Sequence, residues 1–125
     1  MNRQLMEVVL PRLARPLYQQ LKRYRAGKMS DAQFTRGFES LLRRQHAWLA
    51  SQGVPEARAA LAIHGAVLIL SGPGLRAEAH EAGVPLEIIE CRAIREAAAD
   101  LAKNYDVAER QAFKAISRLV ARYGD

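Results

Sequence analysis

Apolar side chains recur every three or four positions along most of this chain, which is the spacing of one face of an α-helix. After Gly27 the spacing is kept by Phe34, Phe38, Leu41, Leu42, Trp48 and Leu49. Near the C-terminus it is kept by Ala112, Phe113, Ile116, Leu119, Val120 and Tyr123. Residues 59–70 are apolar nearly all round, which predicts a helix at the centre of the packing. Alternating runs of strand length are absent from the sequence, so the fold class is predicted to be all-α.

Glycines and capping residues mark the ends of the first two helices. The first helix is predicted from about residue 2 to residue 26, ending at Gly27, because glycine adopts the left-handed conformation that terminates helices. Ser30 and Gln33 have the spacing of a capping box, which predicts the start of a second helix. That helix is expected to end near Gly53.

Prolines and a glycine-rich turn divide the rest of the chain. Further helices are predicted over residues 55–70, 75–82, 85–104 and 107–123, the second of these being a short piece. The run Ser-Gly-Pro-Gly at 71–74 is predicted to break the chain between the first two. Asp106 and Glu109 have the spacing of another capping box. We therefore expect a single helical domain over residues 1–125, a bundle of about five helices around the central apolar one.

Composition excludes several classes of protein. The single cysteine, Cys91, allows no intramolecular disulfide, and the arginines of the N-terminal segment do not fit a signal peptide. The longest apolar run has 12 residues, 59–70, and a membrane-spanning helix needs about 20. These features predict a cytoplasmic protein that does not contact the membrane.

The charge of the chain is concentrated at its start. Residues 1–28 carry seven basic side chains and one acidic one, a net charge of +6. The remaining residues carry twelve of each sign, so the net charge of +6 for the whole chain comes from its first quarter. Such an asymmetry indicates an anionic partner.

A helical wheel separates the first helix into an apolar face and a basic face. The apolar arc contains Met6, Leu10, Leu13, Leu17, Leu21 and Tyr24. The opposite arc, here called the N-terminal basic ridge, contains Arg12, Arg15, Gln19, Lys22 and Arg23. Arg25, a further candidate for the interface, follows on a continuous stretch with Lys22 and Arg23. Pro11 and Pro16 predict either a kink or a split, with the main helix starting near Arg15, because proline removes a backbone donor.

A second set of cations lies on the last helix. Arg110, Lys114, Arg118 and Arg122, here called the C-terminal basic row, recur every four residues and are about 6 Å apart along the axis. This spacing is similar to that of phosphates along a nucleic-acid strand. Cations near a helix C-terminus also complement the macrodipole, which accounts for Arg118 and Arg122 without a ligand.

Residues 98–118 resemble a helix-turn-helix in outline, with Leu101 and Ala102 on the first helix, a turn at 104–106 and Val107 in the core. The same region is similar to the ANTAR module, an RNA-binding helical element of bacterial antiterminators. The matching positions are Ile94, Ala97, Leu101, Tyr105, Val107, Ala112, Phe113 and Ile116. The chain departs from that family at Ala98 and Ala99, where lysine and glycine are expected. This resemblance implies contact with RNA.

The sequence contains no pattern typical of catalysis. It has no GxxxxGK loop, no GxGxxG and no GxSxG, and its histidines show no zinc or di-iron spacing. His64 lies inside the apolar run and is predicted to be a core residue, and His46 is predicted to be exposed. Cys91 has acidic neighbours and no nearby base, which favours an unreactive thiol. We expect a non-enzymatic protein without a metal or cofactor.

Two functions of different classes fit this sequence. In the first, the N-terminal basic ridge and the C-terminal basic row contact the phosphate backbone of DNA or RNA. In the second, the chain is an interaction or assembly module, a homo-oligomer or a subunit of a larger complex, that docks on an acidic protein partner. Residues 71–109 carry a net charge of −4 and could cover the basic segment. An exposed apolar patch of Tyr18, Val8 and Leu5 would also favour the second function.

Overall fold

The fold is described from a computed structural model that covers the backbone of residues 3–124 and the side chains of residues 12–124. Six helices occur in this part of the chain: α1 (Arg3–Arg25), α2 (Asp31–Ser51), α3 (Glu56–Leu70), α4 (Gly72–Ala82), α5 (Leu86–Asn104) and α6 (Glu109–Tyr123). No strand occurs among these residues. The all-α prediction is confirmed, and the count is six because the short piece before Gly83 is a helix of three turns.

The predicted start of α2 is confirmed in atomic detail. The Ser30 hydroxyl accepts from the Gln33 backbone N–H at 3.2 Å, and the Ser30 N–H donates to the Gln33 side chain at 2.9 Å. Gly27, after α1, has a φ of 73°, a conformation that residues with a Cβ rarely adopt. α1 runs without interruption through Pro11 and Pro16, so the segment is not split into two helices.

Two predicted boundaries are wrong. Only Ser71 separates α3 from α4, and Gly72, Pro73 and Gly74 form the first turn of α4. A proline is tolerated there because the first turn has no backbone bond to lose. The predicted capping box at Asp106 is absent, because α6 begins two residues later than expected, with Ala108 at its N-cap and no side-chain cap.

Two apolar clusters hold the helices together, and α3 contributes to both. The first cluster joins α1, α2 and α3 through Leu13, Leu17, Leu41, Leu49, Val54, Ala59, Ala62, Ile63 and Ala66. The second joins α3, α5 and α6 through Ala60, Ile94, Ala98, Leu101, Ala112 and Ile116. Val107 packs against the second cluster, as the helix-turn-helix outline predicted. Among the described residues α3 packs against each of the other five helices.

The length and hydropathy of the helices within residues 3–124 bear on membrane insertion. No single helix there is long and apolar enough to cross a membrane. α3 and α4 meet the criterion only when they are taken together, and they are bent by 55° at their junction.

The uncapped start of α6 leads to a stability prediction. Ala108→Ser should raise the free energy of unfolding by about 1 kcal/mol, because its hydroxyl can accept from an unpaired N–H of the first turn. Urea unfolding followed by circular dichroism measures the change. The matched variant Asp106→Ala should alter it by less than about 0.5 kcal/mol. A larger loss on Asp106→Ala would mean that Asp106 does cap the helix.

Candidate nucleic-acid interface

The rotation of α1 is fixed by its buried leucine face. Leu13 and Leu17 are 1% and 0% exposed in the cluster with α2 and α3. The buried amide of Gln45 donates from Nε2 to the Leu13 carbonyl at 2.9 Å, tying α2 to the turn that contains Pro16. Met6 and Leu10, predicted on the same face, lie outside the described side chains. With the leucines inside, the opposite face of α1 points away from the protein.

The C-terminal end of α1 is fixed by an aromatic contact with α2. The Tyr24 ring stacks on Phe34 with centroids 4.4 Å apart, and its hydroxyl donates to Asp31 in the first turn of α2. This hydrogen bond stabilises the neutral phenol and raises the pKa of Tyr24. The last turn of α1 therefore has a defined position, and it carries Lys22, Arg23 and Arg25.

The structure exposes every residue that the sequence assigned to a nucleic-acid interface. Those residues are Arg12, Arg15, Gln19, Lys22, Arg23 and Arg25 on α1 and Arg110, Lys114, Arg118 and Arg122 on α6. α1 packs against α2 and α3, and the Arg25 side chain reaches Gly74 at the start of α4. The N-terminal basic ridge is therefore open to solvent along the described part of α1.

The acidic segment does not cover that ridge. Among the described residues, Glu78 pairs with Arg92 and Asp100 pairs with His64, so these two carboxylates are engaged away from α1. α5, which carries four of the eight acidic residues of this segment, has no packing contact with the described part of α1. Intramolecular pairing between this segment and the ridge, one of the two forms of the interaction hypothesis, is thus not what the fold produces.

The two basic sets occupy separate ridges. α6 packs on α3 and α5, and the backbones of α1 and α6 are not adjacent within residues 3–124. Leu119 and Tyr123 of α6 pack against the apolar cluster that also contains Leu13 and Leu17 of α1. The C-terminal basic row lies opposite the apolar face formed by Ala112 and Ile116, both fully buried. Arg122 places its guanidinium carbon 5.4 Å from the centre of the Tyr123 ring. A ligand that touched both sets would have to extend across α3 or around one end of the bundle.

A groove between α1 and α2 adds residues that sequence reasoning missed. This α1–α2 groove, of about 240 Å³, is lined by Arg12, Leu13, Pro16, Leu41, Arg44, Gln45 and Trp48. The guanidinium carbon of Arg12 lies 4.1 Å from the centre of the Trp48 ring. Trp48 was predicted in the apolar stripe of α2 and is half-buried. The signal available in the sequence was the four-residue spacing of Arg44 and Trp48, which puts both side chains on one face of α2.

Gln45 is the buried polar residue of this groove. It is 6% exposed, and its Oε1 has no hydrogen-bond partner among the described residues. An unpaired buried acceptor costs about 1–3 kcal/mol. A residue that lines the groove therefore has a buried acceptor without a partner among the described residues.

An exposed tyrosine lies at the edge of the basic ridge. Tyr18 is 49% exposed, and it is three residues from Arg15 and four from Lys22, so all three share one side of α1. Val8 and Leu5, predicted to extend this surface into an apolar patch, lie outside the described side chains. Tyr18 gives the ridge one aromatic surface beside its cations.

One histidine and one tyrosine lie together between α2, α3 and the loop before α6. The His46 and Tyr105 rings are nearly parallel, at 8°, with centroids 5.9 Å apart, beside a cavity of about 500 Å³. His46 is half-buried, so the prediction that it is exposed was wrong. Burial lowers the pKa of His46, and the negative charge of Glu56 partly opposes this. Burial likewise raises the pKa of Tyr105.

His64 bridges α3 and α5. Its Nδ1 lies 2.8 Å from the Ala60 carbonyl and its Nε2 lies 3.0 Å from Asp100 Oδ2. Because both partners accept hydrogen bonds, the two bonds form together only when the ring is doubly protonated. His64 was predicted to be a core residue, and it instead forms a polar link at the border of the core. Among the described residues no group of three or more His, Cys, Asp or Glu side chains could hold a metal ion.

The lowered pKa of His46 leads to a prediction about stability and pH. The unfolded chain, with the ordinary value of 6.5, binds the proton more readily than the folded chain does, so stability falls as pH drops below 6.5. Relative to His46→Gln, the wild type should lose free energy of unfolding between pH 7.5 and pH 5. Glu56, His64, Arg43 and Tyr105 face this site and are present in both proteins.

Urea unfolding at several pH values measures this difference. The exposed His80 provides the matched control, since His80→Gln should leave the pH dependence of the wild type unchanged. Parallel curves for the wild type and His46→Gln would contradict the shift.

Comparison with protein-family models, with curated proteins and with solved structures finds no match to this chain. Its function is therefore inferred from the residues and their placement.

Proposed function

We propose that this chain is a small non-enzymatic, cytoplasmic protein that binds the phosphate backbone of DNA or RNA through the N-terminal basic ridge. The observation that carries the proposal is the exposure of the whole ridge on a helix whose opposite face is locked into the core. We further propose that the apolar α3, which contacts the other five helices, acts as the central helix of the bundle and holds α1 in place.

Electrostatics favours a polyanion as the ligand. The ridge and the neighbouring Arg25 bring five cations together over fourteen residues of one helix, Arg12 to Arg25, about 20 Å along its axis. Each phosphate contact releases condensed counterions from the nucleic acid, which makes binding favourable and salt-dependent. Contacts of this kind set position and affinity and do not read sequence. The ridge is therefore suited to binding without strong sequence preference.

The C-terminal basic row extends the same function to a second surface. Its four cations are exposed along α6, on the opposite side from the apolar stripe. Because the backbones of α1 and α6 are not adjacent, we propose that the row contacts a second segment of the same nucleic acid. The α5–α6 hairpin, which is similar in outline to a helix-turn-helix, presents this row.

A second candidate function is that of an assembly module, a homo-oligomer or a subunit that docks on an acidic partner. It is favoured by two large apolar side chains that the fold leaves exposed, Tyr18 at 49% and Ile88 at 57%. Ile88 lies on α5 and Tyr18 on α1, so the two are on different helices. Light scattering over a range of protein concentrations, with Ile88→Ser and Tyr18→Ser as variants, measures any self-association.

Binding to labelled oligonucleotides tests the first function. The variant Arg12→Ala, Arg15→Ala, Lys22→Ala and Arg23→Ala should lower affinity at 50 mM salt by at least tenfold, because up to four phosphate contacts are lost. The slope of log K against log salt concentration is negative, and its magnitude should decrease by about 3. Fluorescence anisotropy at several salt concentrations measures both quantities.

A variant with the same change of charge provides the control. Arg36, Arg58, Arg95 and Lys103 are exposed outside the ridge and the row, and their replacement by alanine removes four positive charges elsewhere. This variant should retain most of the affinity and the salt slope. Equal losses in the two variants would show that only net charge matters, and absence of binding at 50 mM salt would exclude the proposed function.

A further inference from the structure

The α1–α2 groove offers more than a phosphate ligand can use. Arg12 and Arg44 supply guanidinium groups, Trp48 supplies an aromatic face, and Gln45 supplies the unpaired Oε1. A phosphate would engage the guanidiniums alone. A nucleotide has a planar base for the indole, ring N–H or amino groups for the amide oxygen, and a phosphate for the arginines.

The contact between Arg12 and Trp48 shows that a flat group fits on the indole. The guanidinium is planar and lies 4.1 Å from the ring centre, a distance typical of stacking. Gln45, which lines the same groove, is more than nine-tenths buried, and its Oε1 is an acceptor without a partner among the described residues. Both features are in one groove at the edge of the basic ridge.

We propose that the α1–α2 groove holds one unpaired base of a single-stranded nucleic acid against Trp48, an inference that rests on the function proposed above. The base replaces the Arg12 guanidinium on the indole, and Gln45 Oε1 accepts a hydrogen bond from the base edge. The released Arg12 and the neighbouring Arg44 bind the adjacent phosphates. In a duplex the base faces are stacked and the pairing edges are occupied, so the groove selects single strands.

The rest of α1 provides a path for the strand. Gln19 and Arg23 lie on the same side of the helix as Arg12, within about 20° of it, and about 10 Å and 16 Å further along the axis. Both side chains are exposed. A strand held at the groove can therefore run along α1, with one polar or cationic side chain for each successive contact.

Intrinsic fluorescence tests the proposal directly, because Trp48 is the only tryptophan in the chain. Titration of the wild-type protein with a 15-nucleotide oligouridylate should quench its emission, since a base stacked on indole quenches it. A matched 15-unit abasic strand has the same sugar-phosphate backbone without bases. It should bind more weakly, with no quenching, when its binding is followed by anisotropy. An RNA duplex should also bind without quenching.

The outcomes separate the two levels of the proposal. Binding of oligouridylate and of the abasic strand with equal affinity and unchanged emission would overturn the base-holding groove and leave phosphate binding intact. Quenching by the duplex equal to that by the single strand would also overturn the selection of single strands. Absence of binding by every probe at 50 mM salt would overturn the function on which the inference rests.

Substitutions distinguish stacking from charge. Trp48→Leu should weaken oligouridylate binding about tenfold and leave the salt slope unchanged, because no cation is removed. Arg12→Ala should reduce the magnitude of the salt slope, because one cation is removed. It should retain the quenching, because the indole is still present. Circular dichroism verifies folding. If Trp48→Leu does not fold, Trp48→Phe, which keeps a stacking ring, should retain most of the affinity, and a tenfold loss on Trp48→Phe would count against stacking.

Discussion

The burial of the leucine face of α1 is the constraint on which the candidate site depends. Each buried leucine contributes about 1.5–3 kcal/mol of transfer free energy, so turning α1 about its axis would cost several kcal/mol. Leu13 and Leu17 are almost completely buried, and the bond from Gln45 to the Leu13 carbonyl adds a polar restraint. The cations of the N-terminal basic ridge are exposed because burial of the leucines turns the opposite face of α1 to solvent. The core thus determines where the charge lies.

Small residues on α3 allow this core to form. Ala59, Ala62 and Ala66 face the cluster shared with α1 and α2, and Ala60 faces the cluster shared with α5 and α6. At Gly65 α6 approaches α3 so closely that a Cβ there would lie 2.7 Å from the Leu119 side chain. α3 can therefore pack on several helices at short distances, as bulkier residues would not allow. Both helices that carry a basic set, α1 and α6, pack against α3.

Local signals in the sequence were enough for the all-helical fold and for the positions of most helices, and they left open whether the basic face is exposed or paired with acidic residues. The stripe of α6 and the Ser30 capping box were correct because each depends on residues a few positions apart. The groove was not predicted, because Arg12 and Trp48 are 36 positions apart and meet only once α1 and α2 are packed. The stacking of His46 on Tyr105 was not predicted for the same reason. The Asp106 box failed because α6 begins at Glu109 with Ala108 as its N-cap, and Val107 in the preceding loop packs against the second cluster.

In the proposed function, charge alone would not distinguish one nucleic acid from another. At physiological ionic strength the field of an exposed cation is screened within about 8 Å, and the chain beyond residue 28 has no net charge. The ridge therefore acts only on a ligand already in contact with it. Contact selects by shape and by the chemistry of the nearest side chains, which at the N-terminal side of the ridge are an indole, two guanidiniums and an unpaired amide oxygen. Cations hold any polyanion, and the proposed role of the α1–α2 groove is to distinguish one polyanion from another.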